Sequence, residues 1–155
     1  MDLLVKLYEL PDSTTPLKKL RKRGIEIRRA LAPEKTFVVD WVNRTFSKAW
    51  ANECDVAFSR LPVTCFLALD SGTLLGFACY DATCKGFFGP TGVDSAYRRA
   101  GVGTALLLAT LSAMAAHGYA YAIIGGVGPV SYYKKAVNAI EIPKSTPGIY
   151  RGMLG

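Results

Sequence analysis

The chain has 155 residues, half of them hydrophobic and a fifth charged, with a formal net charge of +7. This length suits one domain with one core, residues 1–155, and the mixed composition excludes a disordered or repeat-built protein. The positive charge would attract nucleic acid, an anionic membrane surface or a polyanionic small molecule without distinguishing among them.

The N-terminal region, residues 1–24, predicts a strand over residues 3–9 and a basic helical turn after Pro16. Residues 18–29 contain seven basic side chains and one Glu. A solvated helix face explains this run better than a nucleic-acid patch, so we expect no nucleic-acid partner. The first residues include acidic side chains and no long apolar run, which does not fit a signal peptide.

A strand and two helices are predicted next. The strand covers residues 25–31. Pro33 suits the first position of a helix, and apolar residues recur at helical spacing from Phe37 to Phe46. A second helix is expected over residues 48–59.

Three strands follow in the middle of the chain. Residues 63–70 and 73–80 are rich in β-branched and aromatic residues and flank Asp70-Ser71-Gly72, which predicts an antiparallel hairpin. Residues 85–93 predict a third strand. This strand contains Pro90, which cannot donate to a ladder, so we expect it to part from a neighbour there.

The C-terminal part predicts two helices and three strands. In order, they are a helix over 103–117, a strand over 119–126, a helix from Gly128 to about Asn138, and strands over 139–142 and 148–153. The first of these helices is too short to span a bilayer, and we expect it to be buried, with no membrane partner. The element order predicts a mixed α+β fold rather than a doubly wound parallel sheet.

One loop, between a predicted strand and a predicted helix, has the composition of an anion site. The first turn of a helix presents about four N–H groups without partners, together with a partial positive charge. Gly101 and Gly103 lack the Cβ atoms that would keep an anion from these amides, and Arg98 and Arg99 add positive charge. The loop therefore predicts a phosphate or pyrophosphate site. It matches neither the P-loop nor the GxGxxG pattern.

The spacing of Arg98, Gly101 and Gly103 resembles the Arg-x-x-Gly-x-Gly loop with which the GNAT acetyltransferase superfamily binds acetyl-coenzyme A. Residues 132–135, Tyr-Tyr-Lys-Lys, are similar to an aromatic-Tyr-x-Lys segment of that family, and the resemblance covers roughly residues 25–155. It implies a mostly antiparallel mixed sheet with helices on both faces and a splay between the fourth and fifth core strands. The cofactor-binding residues that it implies are Val93, Arg98, Arg99, Ala100, Gly101, Val102, Gly103 and Thr104.

In such folds the pantetheine arm of the cofactor lies in the splay, bonded to backbone near Val93. Pro90 and Gly92 on one strand, and Gly125-Gly126 on the other, would weaken strand pairing where the splay must open. Backbone N–H near Val93 would also polarise the thioester carbonyl.

The resemblance implies direct transfer of an acetyl group to a primary amine. Tyr133 matches the tyrosine that serves as general acid toward the departing thiolate. The strand positions that often carry a catalytic Glu hold Phe87, Phe88 and Gly89 in this chain. The role of general base is therefore open.

Candidates for the base and for the acceptor site lie elsewhere. Glu53, Asp55 and Asp81 are candidates for the base, and Glu53 is the one assigned to that role. Trp50, Asp55 and Asp81 are assigned to contact with the acceptor, a small-molecule or peptide amine. Each carboxylate also fits a solvated surface position, and water relayed to backbone carbonyls is an alternative base. His117 ends a helix and is explained by capping.

Two other classes of function stay open at this point. One is a non-catalytic acyl-coenzyme A sensor or interaction module of the same fold, and the other is a nucleic-acid binder that depends on residues 18–29 alone. The four cysteines include no CxxC pair and the chain has one histidine, so no metal site is expected. Reduced thiols indicate a cytoplasmic protein. A homodimer is compatible with the edge strands that any open sheet has.

Overall fold

One mixed sheet organises the computed structural model, which describes residues 1–98 and 100–155. Within these residues there are seven strands and five α-helices. In chain order they are β1 (Asp2–Lys6), α1 (Thr14–Lys22), β2 (Ile25–Arg29), α2 (Lys35–Thr45), α3 (Lys48–Ala57), β3 (Cys65–Asp70), β4 (Thr73–Tyr80), β5 (Phe87–Val93), α4 (Val102–Ala116), β6 (Tyr121–Ile124), α5 (Val130–Val137) and β7 (Ile140–Ile142).

The strands lie in the order β2-β3-β4-β5-β6-β1-β7. All neighbours are antiparallel except β5 and β6, which are parallel. This arrangement confirms the mixed α+β fold predicted from the sequence. Counted from β2, the parallel pair is formed by the fourth and fifth core strands, where the splay was expected.

The splay is visible in the pairing of β5 with β6. The two strands pair only through Phe87 with Ile123 and Phe88 with Ile124. Beyond these pairs β5 continues to Val93, whereas β6 ends at Ile124. The break comes just before Pro90 on β5 and just before Gly125-Gly126 after β6, where these residues were predicted to weaken strand pairing.

Helices cover both faces of the sheet. On one face α4 packs with α1 and α5 over a core that includes Leu3, Leu75 and Leu106. On the other face α2 and α3 cover a second core that includes Val42, Leu67 and Phe77. The apolar helix α4 is therefore buried between the sheet and its neighbours. Among the described residues, no helix combines the length and the apolar composition needed to cross a membrane.

Most predicted elements occur within two residues of their expected ends, and two predictions were wrong. The first predicted strand stops at Lys6, because its partner β6 begins opposite that residue, and residues 7–9 form a 3-10 turn. Residues 148–153 form a 3-10 turn and a tail instead of a strand. Gly148 and Gly152 there have φ values of +61° and +73°, which a strand does not allow.

The basic run divides into an exposed part and a structural part. On α1 the side chains of Lys18, Lys19 and Lys22 are exposed, as a solvated helix face requires. In β2, Arg28 forms a two-pronged ion pair with Glu34 at 2.7 and 2.8 Å. The arginine that follows it donates to a backbone carbonyl at 2.7 Å. The two arginines at the end of the basic run therefore stabilise β2, which is an edge strand of the sheet.

Asp81 fastens the connection between β4 and β5. Its carboxylate oxygens each lie 2.8 Å from the Tyr119 hydroxyl, and one accepts the Gly86 N–H at 2.7 Å. The side chain is only 1% exposed. The expectation that Asp81 contacts an acceptor is therefore corrected, because its oxygens are committed to the fold.

The expectation that Asp55 contacts an acceptor is also corrected, in this case because the residue is exposed rather than buried. It is exposed on α3 and forms an ion pair with Lys35 of α2 at 2.8 Å. Its side chain points to the neighbouring helix and lies outside the splay. Asp55 is thus a surface carboxylate.

We predict that Asp81→Ala lowers the free energy of unfolding by about 1–3 kcal/mol, because the Tyr119 hydroxyl and the Gly86 N–H, both partly buried, lose their acceptor. The matched Asp55→Ala change removes an exposed ion pair and is expected to cost less than about 1 kcal/mol. Urea unfolding followed by circular dichroism measures both. Equal losses for the two variants would contradict this assignment.

Candidate active site

Two cavities meet in the splay between β5 and β6. The larger has a volume of about 910 Å³ and lies between α3, the splayed strands and the C-terminal tail. The smaller, about 510 Å³, extends from the start of α4 to α3. The two cavities share five lining residues: Trp50, Phe88, Thr91, Pro129 and Tyr133. These five residues mark the point where a group in one cavity would meet a group in the other.

The smaller cavity contains the start of α4. Gly101 has a φ of +84° and precedes the helix, whose first internal bond runs from the Ala105 N–H to the Gly101 carbonyl at 3.1 Å. The amides of residues 102–104 come before this bond and have no partner within the helix. A Cβ on Gly101 would meet nothing within 4 Å, and one on Gly103 would meet only Val93, at 3.6 Å. The predicted helix start is confirmed, with space in front of its amides.

Positive charge surrounds this helix start. Arg98 lines the smaller cavity and donates from Nε to the Val93 carbonyl at 3.3 Å. Arg23, from the N-terminal extension, donates to the Ala100 carbonyl at 3.3 Å. Sequence reasoning missed Arg23, because only the fold brings α1 beside this loop. Arg99, the other predicted arginine, lies outside the described residues.

The backbone of Val93 faces the splay. Asp94 donates its N–H to Leu75 of β4 at 2.8 Å, and Gly76 is paired with Val93 in the same register. Because hydrogen-bonded and non-hydrogen-bonded pairs alternate in an antiparallel ladder, Val93 belongs to a pair that does not bond to β4. Its N–H and C=O therefore point away from β4, toward the opening.

Tyr133 stands at the junction of the cavities with its hydroxyl free. It lines both cavities, is 8% exposed, and its hydroxyl bonds to no described residue. Burial raises the pKa of Tyr133 to about 12. The adjacent Tyr132 differs, because its hydroxyl lies 2.9 Å from Thr104 Oγ1 and is committed to that hydrogen bond.

Glu53 gives the larger cavity its charge. It is half-buried on α3, and one carboxylate oxygen accepts a hydrogen bond from Thr83. Among the described residues that line this cavity, Glu53 is the only one with a formally charged side chain. Tyr150 lies nearby, and burial, followed by the charge of Glu53, raises the pKa of its hydroxyl.

Aromatic side chains form the wall between α3 and β5. Trp50 packs against Phe46 and Phe77, with ring centroids 5.3 and 6.2 Å apart. A Cβ on Gly92 would lie 2.5 Å from the Phe46 ring, so the glycine allows this ring to rest on the strand. Trp50 therefore belongs to an aromatic cluster and also lines both cavities.

The structure brings most of the predicted site residues together. Trp50, Glu53 and Tyr133 line the larger cavity. The smaller cavity is lined by Val93, Arg98, Gly101, Gly103 and Thr104. Val102 turns its side chain into the core. Sequence reasoning missed the tail residues that wall the larger cavity, Tyr150, Met153 and Leu154, because it assigned them to a strand or to no element.

The clustered cysteines and the histidine considered in the sequence analysis do not line either cavity. Cys54, Cys65 and Cys79 are buried, with sulfur atoms within 4.8 Å of one another. Their spacing in the sequence, which contains no CxxC pair, did not predict this cluster. Burial raises the pKa of the Cys79 thiol well above its usual value. His117 ends α4, where Nδ1 lies 3.1 Å from the hydroxyl of Tyr80.

Solved structures share this architecture at low sequence identity. The glucosamine N-acetyltransferase region of a fungal multi-domain beta-N-acetylglucosaminidase is 12% identical, with a TM-score of 0.71 over 88% of this chain and 19% of that one. A GCN5-related N-acetyltransferase from Sphaerobacter thermophilus is 19% identical, with a TM-score of 0.64 over 90% of this chain and 47% of that one. The chain thus corresponds to less than half of either protein.

A third similar structure is of comparable length. It is a GNAT family acetyltransferase from Brucella melitensis, 18% identical, with a TM-score of 0.57 over 72% of this chain and 80% of that one. At these identities the structures show a common fold. A search of curated proteins finds no match to the chain. The model of the acetyltransferase (GNAT) family matches residues 34–135, which include α2 to α4, the splay and most of α5, and the chain therefore belongs to the GNAT acetyltransferase family.

Proposed function

We propose that the chain is an acetyl-coenzyme A-dependent N-acetyltransferase that transfers the acetyl group directly to a primary amine held in the larger cavity. The observation that carries the proposal is the free, protonated hydroxyl of Tyr133 where the two cavities meet. Family membership supports the donor, as does the Brucella melitensis structure, which was determined in complex with acetyl-CoA. The acceptor is a small molecule or a peptide.

The smaller cavity would hold the donor. The amides of Val102, Gly103 and Thr104 suit a pyrophosphate, because they carry the partial positive charge of a helix start. Arg98 would exchange its 3.3 Å bond with the Val93 carbonyl for a phosphate oxygen, since a charged acceptor makes the stronger bond. That exchange frees the Val93 carbonyl, which together with the Val93 N–H would bond to the amides of the pantetheine arm. Acetyl-coenzyme A supplies the acetyl group already activated as a thioester.

Tyr133 is the proposed general acid. It donates its proton to the sulfur, which takes the electron pair of the breaking C–S bond. A general acid must be protonated before the reaction, and the pKa of about 12 keeps Tyr133 in that form at neutral pH. Tyr132 is a poorer candidate because its hydroxyl is bonded to Thr104.

Glu53 is the proposed base. An alkylamine has a pKa of about 10.4, so it enters as an ammonium and must lose one proton before its nitrogen can attack. Glu53 accepts that proton and passes it to solvent. When the C–N bond has formed, the nitrogen loses a second proton, which restores the Tyr133 hydroxyl. One proton is released for each acetyl group transferred.

We predict that Gly103→Glu raises the Kd for coenzyme A at least about 30-fold, because a carboxylate would stand in front of the helix amides. The control is Ala116→Glu, which adds the same charge at the exposed opposite end of α4 and should leave the Kd unchanged. Isothermal titration calorimetry measures both, and circular dichroism checks the fold. Equal affinity in the two variants would remove the loop from the binding site.

We predict that Tyr133→Phe lowers kcat by about 100-fold or more with little change in the Kd for coenzyme A, because only proton donation is lost. Tyr132→Phe is the matched control and should lower kcat less than tenfold. The measurement is thiol release from acetyl-coenzyme A over a panel of primary amines. Binding without thiol release by the wild-type protein would favour the acyl-coenzyme A sensor instead.

The pKa of Tyr133 also predicts the pH dependence of that assay. Since this hydroxyl loses its proton only near pH 12, the wild-type kcat should rise as the amine loses its proton and should not fall again below about pH 10. The measurement is kcat from pH 6 to about 10.5 under amine saturation. A kcat that falls between pH 8 and about 9.5 in the wild type would exclude Tyr133 as the acid.

A further inference from the structure

The larger cavity has a charge pattern that selects among amines, and we infer that its acceptor is a primary monoamine on an apolar body, without a carboxylate or phosphate group. This inference rests on the proposed function and names the class of acceptor. It depends on which charges line the cavity, which walls surround them and how much space they enclose.

Glu53 provides one place for one ammonium group. Its bond from Thr83 fixes the carboxylate at the cavity wall, and the half-buried side chain is less screened than an exposed one. An ammonium group loses hydration when it enters the cavity, and an ion pair with Glu53 offsets the free-energy cost of that loss. A second ammonium would have no such partner among the described lining residues.

A carboxylate on the acceptor would also lack a positively charged partner among the described lining residues. No described residue that lines the larger cavity carries a positive side chain, since Arg98 lines only the smaller one. An acceptor carboxylate would therefore be desolvated without an opposite charge beside it and would be repelled by Glu53. This disfavours free amino acids, in which the carboxylate lies close to the amine.

The charge of the whole chain acts against polyamines. At +7 the protein repels a polycation as it approaches, whereas a single positive charge is affected less. Both long-range charge and local pairing thus favour an acceptor with one ammonium group.

The remaining walls suit an apolar body. Aromatic rings from three elements line the cavity: Trp50 of α3, Phe87 of β5 and Tyr150 of the C-terminal tail. The other apolar lining side chains include Ile124, Val127, Pro129, Met153 and Leu154. A volume of about 910 Å³ is in the upper range for small-molecule sites. The cavity therefore has room for a ring or an alkyl chain beyond the amine.

The test compares three amines with the full-length wild-type protein. 2-Phenylethylamine and phenylalanine differ by one carboxylate, and spermidine supplies a polyamine. We expect kcat/KM for 2-phenylethylamine to exceed that for each of the others by at least about 100-fold. Calorimetric binding of the same amines to the protein loaded with coenzyme A is a second measurement that does not depend on turnover, and we expect the same order of affinity.

The residue responsible is tested with Glu53→Gln, which keeps the size and removes the charge. We expect at least a tenfold weaker binding of 2-phenylethylamine to the coenzyme A-loaded protein, and an unchanged Kd for coenzyme A. Glu141→Gln is the matched control, because Glu141 is exposed and pairs with Lys134 away from both cavities. Glu53→Asp should restore part of the affinity.

The outcomes separate this inference from the proposed function. Thiol release with phenylalanine or spermidine as the better acceptor would overturn the inference and leave the N-acetyltransferase proposal in place. Tight binding of 2-phenylethylamine without thiol release would support the acceptor class and count against catalysis. If none of the three amines binds and none gives thiol release, the inference is overturned.

Discussion

The structure depends on how little β5 and β6 pair with each other. Two residue pairs, ending at Phe88 with Ile124, hold the halves of the sheet together at this point. Each further pair would close the splay and remove both cavities, so the opening is a cost in strand pairing that the rest of the fold must offset. It is offset by the flanking helices, because α4 packs against β5 on one face and α3 contacts it on the other. The parts that border the cavities are therefore also the parts that keep the sheet intact.

This arrangement gives α3 two functions on different sides. Cys54 faces the second core and is fully buried, whereas the preceding residue, Glu53, faces the larger cavity. Asp55, two positions after Glu53, points to α2. Successive residues of a helix are about 100° apart, so neighbours in sequence do not share a face. Packing of the buried face fixes the helix, and that in turn fixes the direction of Glu53.

The same geometry explains which predictions succeeded. The helix start at Gly101 and the break near Pro90 follow from local backbone chemistry, which the sequence shows directly. The choice between Glu53 and Asp55 depends on the rotation of α3, and the burial of Asp81 depends on Tyr119, 38 residues away. The tail was misassigned because its β-branched and aromatic residues, Ile149 and Tyr150, resemble a strand, whereas Gly148 turns there beside the carboxylate of Asp2. Local signals were sufficient for local features, and contacts between distant segments were needed for the others.

The two ends of the splay carry opposite charge, and this difference orders the proposed reaction. On the side of α4, helix amides and Arg98 attract an anion, and Arg23 adds to the same field. On the side of α3, Glu53 attracts a cation. Tyr133 stands between them with a neutral hydroxyl that burial protects from ionisation. In the proposed reaction an anionic donor and a cationic acceptor would thus be drawn to different cavities, and their reacting groups would meet where the cavities join, beside the Tyr133 hydroxyl that is proposed to supply the proton.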